Sequence, residues 1–180
     1  MKNIFVAVLV LCFLVLTTTG FAQNKYVGIK ACAPCHKSEK SGNQFGIWQK
    51  AKHSEAYTLL TTAKADEIAK AKGLKTAAAA SPECLECHTI VADAKIVDKT
   101  FDAKDGVQCE MCHGAGSAYK SMAIMKDKAK AIAAGLTEYK DEASIEKKCL
   151  TCHNEKSPTH KEFKFKDMWA KIKHPLPKKS

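Results

Sequence analysis

Eight of the nine cysteines fall in four copies of one pattern, in which two cysteines enclose two residues and a histidine follows at once. We number these copies motif 1 to motif 4 in chain order. They are Cys32-Ala33-Pro34-Cys35-His36, Cys84-Leu85-Glu86-Cys87-His88, Cys109-Glu110-Met111-Cys112-His113 and Cys149-Leu150-Thr151-Cys152-His153. Two thiols at this spacing can bond to one prosthetic group, and the adjacent imidazole can bind a metal ion held in it.

This pattern is the attachment signature of c-type haem. The two thiols add to the vinyl groups of the porphyrin, and the histidine becomes the proximal ligand of the iron. The sequence therefore predicts four c-type haems. Their attachment residues would be Cys32, Cys35, Cys84, Cys87, Cys109, Cys112, Cys149 and Cys152, and their proximal ligands His36, His88, His113 and His153. Zinc sites and disulfide frameworks also use cysteine, but neither requires a histidine at one fixed offset.

The first 22 residues have the pattern of a secretory signal peptide. Lys2 precedes an apolar run over residues 4–16, and the small-residue stretch Gly20-Phe21-Ala22 follows it. This order predicts cleavage after Ala22 and export to the periplasm or beyond. The run is too short for a comfortable membrane span, so no span is expected after cleavage. Cys12 lies inside the run and would be removed with it.

The remaining residues, 23–180, have the length of one domain. They contain 28 Lys, 19 acidic residues and no Arg, which gives a formal charge of +9. Large apolar residues are few, so the haems themselves are expected to form the core. The composition excludes a multidomain enzyme and a polytopic membrane protein, and it argues against nucleic-acid binding. We expect a tetrahaem domain over residues 23–180, with residues 175–180 as a loose basic tail.

The patterns predict a mostly α-helical fold with little or no β structure. Apolar spacing and helix-ending glycines indicate several short helices. The predicted elements are a helix over residues 61–72 ending at Gly73, a helix that starts at Ser81-Pro82, a loop or short hairpin over residues 95–106, a helix from Met122 to the stop at Gly135, and a helix over residues 137–149.

The sixth ligand of each iron decides whether the iron is closed or open to small molecules. Three histidines, His53, His160 and His174, lie outside the motifs, so four bis-histidine irons cannot form within one chain. We favour His53, expected on a helix, and His174 as distal ligands, and His160 as a surface or propionate-contacting residue. Met122 and Met125 are expected on the apolar face of their helix, where methionines more often pack in a core than bind a metal. Of the two, Met125 is the candidate sulfur ligand. A lysine ligand also stays open.

Several segments resemble one known family. They are Tyr26-Val27-Gly28 before motif 1, residues 48–60 around His53, the run 106–116 around motif 3, motif 4 with Ser157-Pro158, and residues 163–175. Together they make most of residues 26–175 similar to the tetrahaem cytochrome c-554 family. Residues 106–116, which read Gly-Val-x-Cys-Glu-x-Cys-His-Gly-x-Gly, are the most specific part.

The resemblance implies a mostly helical periplasmic protein with haems in close pairs. It also implies three six-coordinate haems and one five-coordinate haem, whose proximal ligand would be His88. His53 and His174 match distal ligands of the family. The family has a further distal histidine shortly after motif 3, and this chain has Met122 and Met125 in that neighbourhood instead.

These observations favour an electron-transfer protein that relays electrons between redox partners. Its lysines would steer it towards partners with an acidic docking face. One alternative is an enzyme that reduces nitric oxide or a hydroxylamine-type compound at a five-coordinate haem. Another is a subunit of a larger respiratory complex. The sequence leaves the oligomeric state open.

Overall fold

The structure is a computed structural model that describes residues 23–176. The predicted signal peptide, residues 1–22, and residues 177–180 of the predicted tail lie outside the described part. Over residues 23–176 the chain forms ten short α-helices and five 3-10 turns, which confirms the mostly α-helical prediction. The β structure of this part is one isolated parallel bridge between Tyr26 and Val97.

The helices are named in chain order. They are α1 (Ile29–His36), α2 (Gln44–Lys50), α3 (Ala56–Leu60), α4 (Ala63–Ala71), α5 (Pro82–His88), α6 (Cys109–His113), α7 (Met122–Met125), α8 (Lys128–Ala133), α9 (Glu142–Cys149) and α10 (Phe165–Ile172). The 3-10 turns are Glu39–Ser41, Lys52–Glu55, Ala78–Ala80, Ala94–Ile96 and Ala103–Asp105.

Helices α4 and α5 confirm the helices predicted before and at motif 2. The Thr62 side chain caps α4 by accepting a hydrogen bond from the amide of Ala65. The chain then leaves the helix at Gly73, whose φ of +75° is the left-handed conformation that glycine adopts without strain. Pro82 opens α5, where its missing N–H and fixed φ suit the first helical turn.

Residues 95–106 form the predicted loop and do not form a hairpin. Two 3-10 turns, Ala94–Ile96 and Ala103–Asp105, occupy the segment. The segment pairs instead with Tyr26, whose amide donates to Ile96 and whose carbonyl accepts from Asp98, both at 2.8 Å. The loop therefore fixes the chain that leads into motif 1.

Two of the predicted helices have other bounds in the structure, because acidic side chains cap helix starts that the sequence analysis did not predict. The helix expected from Met122 to Gly135 breaks into α7 and α8, since Asp127 accepts from the Lys130 amide at 3.1 Å and begins α8. The helix expected over residues 137–149 begins at Glu142, because Asp141 and Ser144 form a reciprocal capping box.

The side-chain core of the described residues is small. Leu60, Ala69 and Ala78 form one buried cluster at the meeting of α3, α4 and the turn before α5. The other buried apolar residues are Val27, Ile29, Ile90, Tyr119, Ala131 and Phe165. This content is low for a chain of this length, which agrees with the expectation that side chains alone build little of the core.

Candidate functional site

Helix geometry places the two thiols of each motif on one side of the chain. Motifs 1, 2 and 3 lie within α1, α5 and α6, and motif 4 starts with the last residue of α9. Cys152 and His153 lie in the following turn, where both amides donate to the carbonyl of Cys149. Residues three apart on a helix share a face. All eight cysteines of the described residues are free thiols, so each motif has both sulfurs available.

Thiols of different motifs lie side by side in two places. Cys32 of motif 1 interacts directly with Cys109 of motif 3, which lowers the pKa of Cys32 and raises that of Cys109. Cys87 of motif 2 neighbours Cys152 of motif 4, and burial together with this neighbour raises the pKa of Cys87 to about 12. Motif 1 therefore pairs with motif 3, and motif 2 pairs with motif 4.

A third contact joins these two pairs. Cys112 of motif 3 lies near Cys149 and Cys152 of motif 4. Tyr139 lies near the thiols of Cys112 and Cys149 and donates its hydroxyl hydrogen to the carbonyl of Cys112 at 2.8 Å. The motifs therefore follow one another in space in the order 1, 3, 4, 2, which differs from their order in the chain.

Two histidines from outside the motifs face histidines of the motifs. The ring centroids of His53 and His153 lie 6.2 Å apart with the planes at 52°. Those of His113 and His174 lie 6.0 Å apart with the planes at 43°. Motifs 3 and 4 thus each have a second imidazole opposite the proximal one.

This spacing fits two imidazoles that bind one metal ion from opposite sides. A metal–imidazole nitrogen bond is about 2.0–2.1 Å long, and each nitrogen lies about 1.1 Å from the centre of its ring. Two imidazoles bound in line on opposite sides of one metal ion therefore have ring centroids about 6.3 Å apart. Direct ring stacking would bring the centroids closer, as the 4.6 Å between Phe163 and His153 shows.

The four facing imidazoles are kept neutral by their surroundings. Burial lowers the pKa of His113 to about 4, with smaller effects from His174 and His36. Desolvation is also the main cause of the lowered pKa of His53 and of His174. Part of the His153 ring is exposed, yet desolvation by surrounding atoms lowers its pKa too. Neutral imidazole is the form that binds a metal, so these shifts favour ligation.

The run before motif 3 positions His53. His53 lies in the 3-10 helix Lys52–Glu55, and its carbonyl accepts from the Val107 amide at 2.9 Å. Gly106 has a φ of +75°, and a β-carbon there would lie 2.6 Å from the carbonyl oxygen of His53. Trp48 donates its indole N–H to the Val107 carbonyl at 2.8 Å. Gly106 is therefore needed for the close approach of these two segments.

Sequence reasoning missed the aromatic contact of His153. Phe163 stacks on this imidazole with the planes at 19°. The signal in the sequence was the pair Phe163 and Phe165 shortly after motif 4, which we used only as part of a resemblance. Phe163 restricts the rotation of the His153 ring.

His36 and His88 have hydrogen-bond partners but no facing imidazole. Nδ1 of His88 lies 2.7 Å from the carbonyl oxygen of Ala56, which can only accept, so Nδ1 carries the hydrogen. Nδ1 of His36 lies 3.3 Å from Oε1 of Gln44. In both cases the other ring nitrogen is left for a metal, an arrangement typical of metal-binding histidines. All seven histidines lie within the described residues, and none of the ring pairs formed there includes His36 or His88.

The remaining ligand candidates lie in different places. His160 is exposed and lies near His153, whose pKa it lowers further. Met122 is 62% exposed, so the expectation that it lies on an apolar, packed face was wrong, whereas Met125 is half-buried. Lys120, just before α7, lies near Cys32 of motif 1.

Two buried polar side chains, also missed, hold motif 1 against motif 3. Gln108 accepts from the Ile29 amide at 2.9 Å and donates to the Asp102 carbonyl at 2.7 Å. Glu110 accepts from the amides of Val27 and Gly28. Their signal was the Gln-Cys-Glu order in motif 3, in which polar residues flank a cysteine in an otherwise apolar neighbourhood.

The residues present fit four c-type haems. Each motif offers two free thiols and an imidazole, and two of these imidazoles face a second one at the distance that a shared metal requires.

Comparison with known proteins agrees with this chemistry. Residues 31–114 match the family of cytochrome c554 and c-prime. The matched part contains motifs 1, 2 and 3 together with His53, and motif 4 lies outside it. No curated protein and no solved structure matches the chain significantly. Within residues 23–176, no helix has the length and apolar character needed to cross a membrane.

Proposed function

We propose that the chain is a member of the cytochrome c-554 family, whose model matches residues 31–114, and that it is an exported electron carrier with four covalently attached c-type haems. The family match indicates a c-type cytochrome that carries electrons. The number of haems follows from four complete motifs whose thiols are all free. Export follows from the pattern of residues 1–22, and residues 23–180 would be the mature protein.

The observation that carries this proposal is the pair of facing imidazoles. We assign His53 as the distal ligand opposite His153, and His174 as the distal ligand opposite His113. Two neutral imidazoles close an iron on both sides and keep its potential low, which suits electron transfer without substrate chemistry.

For the iron of motif 1, we assign Met125 as the distal ligand. The segment that leads into α7 passes motif 1, because Lys120 lies near Cys32. Met125 is half-buried on this helix, and the exposed Met122 is less suited to a buried iron. A thioether opposite His36 would raise the potential of this iron relative to the bis-histidine ones.

When bound, each haem supplies an iron that gains or loses one electron. The chain determines where these irons lie and how easily each is reduced. The contacts between motifs support the order 1, 3, 4, 2 for the four proposed attachment sites, with close thiol pairs at both ends. The chain's neutral imidazoles remain metal ligands without releasing protons at neutral pH.

Electron carriers need transient partners, and the lysine-rich surface fits acidic ones. Residues 23–180 carry a formal charge of +9 before the haems are counted. This value already counts the acidic groups, and four lysines of the described residues form ion pairs with them. We expect association with an acidic docking face, and we expect its rate to fall as salt is added.

The environment of His88 favours a second function. The Ala56 carbonyl fixes its ring, and no imidazole faces it. If its iron stays five-coordinate, it can bind a small molecule such as nitric oxide or hydroxylamine and pass electrons to it. The neighbouring motif 4, with its bis-histidine site, would supply those electrons.

The proposal is tested by mass and haem content together. The intact mass of the purified protein should equal that of residues 23–180 plus four haems, and the pyridine haemochrome assay should give four haems per chain. Fewer than four haems would contradict the account, and a chain that retains residues 1–22 would contradict signal cleavage.

A further inference from the structure

One buried acidic side chain lies between the two motifs of the first pair. Glu110 is 2% exposed and occupies the position between Cys109 and Met111. Its carboxylate accepts from the amides of Val27 at 2.9 and 3.1 Å, Gly28 at 2.7 Å and Gly116 at 2.7 Å. All these partners are neutral amides, and the ion pairs of the described residues do not include Glu110.

The hydrogen bonds of Glu110 fit the ionised form. An ionised carboxylate only accepts, and every partner of Glu110 donates. The backbone amides compensate for lost water but add no positive charge. Glu110 therefore contributes a buried negative charge without a cationic partner, and the low local dielectric makes this charge act more strongly than one at the surface.

This charge lies against both motifs of the first pair. Glu110 is part of motif 3, next to the Cys109 thiol. It also binds the amide of Gly28, whose carbonyl is 3.8 Å from the Cys32 sulfur of motif 1. The contact between Cys32 and Cys109 has the largest effect on both thiols and leaves the pKa of Cys32 lowered and that of Cys109 raised. The charge of Glu110 has a smaller effect and disfavours the ionisation of both thiols, in agreement with this placement.

Motif 2 of the second pair also has an acidic residue between its cysteines, one position later in the motif than Glu110, but leaves it in water. Glu86 lies between the two cysteines of motif 2 and is exposed, so solvent screens its charge. Motif 1 has Ala33-Pro34 and motif 4 has Leu150-Thr151 between their cysteines. Burial of the acidic residue thus distinguishes the first pair from the second.

We propose that Glu110 is a potential-setting residue, which makes the irons of motifs 1 and 3 harder to reduce than they would be without its charge. A buried negative charge opposes the addition of an electron nearby, and burial and local charge are among the means by which a protein tunes haem potentials. At motif 1 this charge would act against the Met125 thioether, which raises the potential, and at motif 3 it would add to the lowering effect of two imidazoles. This inference rests on the proposed function, since it requires the haems to be attached.

The test is a spectroelectrochemical titration of Glu110→Gln beside the wild type. We expect two of the four one-electron equilibria to shift towards the reduced form by about tenfold each, which is about 59 mV per iron. Glu86→Gln is the matched control, because it removes an exposed charge from a motif, and it should leave all four potentials near the wild-type values. Glu110→Asp, which keeps the charge, should shift them less than Glu110→Gln.

The sign of the shift separates an electrostatic role from a purely structural one. A variant that only loosened the packing would admit water, which favours the more charged ferric form and lowers the potentials. Unchanged or lowered potentials in Glu110→Gln, or equal shifts in Glu86→Gln, would overturn the proposal. Haem content is measured on each sample, so failure of the proposed function would show separately as fewer than four haems.

A second measurement applies if Glu110→Gln does not accumulate. Glu110→Ser removes the same charge with a small side chain whose hydroxyl can still accept from one of these amides. Because the buried charge is again lost, we expect the irons of motifs 1 and 3 to become easier to reduce than in the wild type. Unchanged or lowered potentials in Glu110→Ser would overturn the proposal.

Discussion

The imidazole of His53 faces that of His153 with 6.2 Å between ring centroids, although one lies in an early 3-10 turn and the other in the last motif. The contact brings the segment between motifs 1 and 2 against motif 4. It also gives motif 4 a second nitrogen at the distance that a metal between two imidazoles requires. The same relationship recurs for His113 and His174.

Replacing His53 should open one iron. In His53→Ala the iron of motif 4 loses its distal ligand, so we expect the ferric protein to gain a high-spin electron paramagnetic resonance signal from about one further haem in four. His160→Ala is the matched control, because His160 lies near His153 but is exposed. A gain of high-spin signal in His160→Ala and none in His53→Ala would contradict the assignment.

Replacing His174 should act in the same way at motif 3. His174→Ala removes the ring that faces His113, and we expect a similar additional high-spin fraction. Because His53 and His174 serve different motifs, the double variant should show the sum of the two fractions. Non-additive fractions, measured by the same spectroscopy, would indicate that the two residues share one iron or compensate for each other.

Met125 and Met122 provide a paired test of the ligand at motif 1. Met125→Leu removes a half-buried sulfur while nearly conserving volume, so the iron of motif 1 should become high-spin with little loss of stability. Met122→Leu, at a side chain that is 62% exposed, should leave the spectrum unchanged. Absorption and paramagnetic resonance spectra of the ferric variants measure both effects. An unaltered Met125→Leu spectrum would mean that another group, or none, binds opposite His36.

Acidification should destabilise the protein before its surface carboxylates titrate. Folding lowers the pKa of His113 from 6.5 to about 4, so between these pH values the unfolded chain takes up a proton that the folded chain does not. Stability is therefore fully present above about pH 6.5 and falls towards pH 4, and an iron bound to His113 would act in the same direction because it also disfavours the protonated ring. His53, His153 and His174 act in the same direction.

The measurement is the guanidinium concentration at the midpoint of unfolding of the ferric protein. Unfolding is monitored by far-ultraviolet circular dichroism at pH 7, 5.5 and 4. Surface carboxylates such as Asp98 and Asp141, whose pKa values hydrogen bonds lower, lose their contribution only below about pH 4, near the ordinary value of 3.8. Asp105 opposes the trend, since burial raises its pKa and protonation stabilises the fold. A midpoint that is constant or rises between pH 7 and pH 5.5 would contradict the histidine account.

The chemistry of the site was predictable from the sequence because covalent attachment fixes residue types and spacing. The motifs and the short helices that carry motifs 1, 2 and 3 follow directly from the pattern and from glycine and proline signals. His53 and His174 could be named as candidate ligands, but the imidazoles that they face could not. Pairing depends on contacts across the chain, such as Val107 with His53, that local patterns do not encode.

Other features of the structure differ from the sequence predictions for identifiable physical reasons. Apolar spacing from Met122 to Gly135 suggested one helix, and a single capping side chain, Asp127, divided it. Helical spacing also failed to show that Met122 is exposed, because the side-chain core here is too small to bury every apolar face. Glu110 was overlooked because a charged residue within a motif gives no sign of its burial.

The central claim is that His53 and His174 close two irons, Met125 closes a third, and the iron at His88 stays open. Low-temperature electron paramagnetic resonance of the ferric wild type, with nitric oxide added to the reduced protein, tests it most directly. The account predicts a high-spin signal from about one haem in four and nitric oxide binding at one iron per chain. An entirely low-spin protein that ignores nitric oxide, or one with two or more open irons, would contradict it.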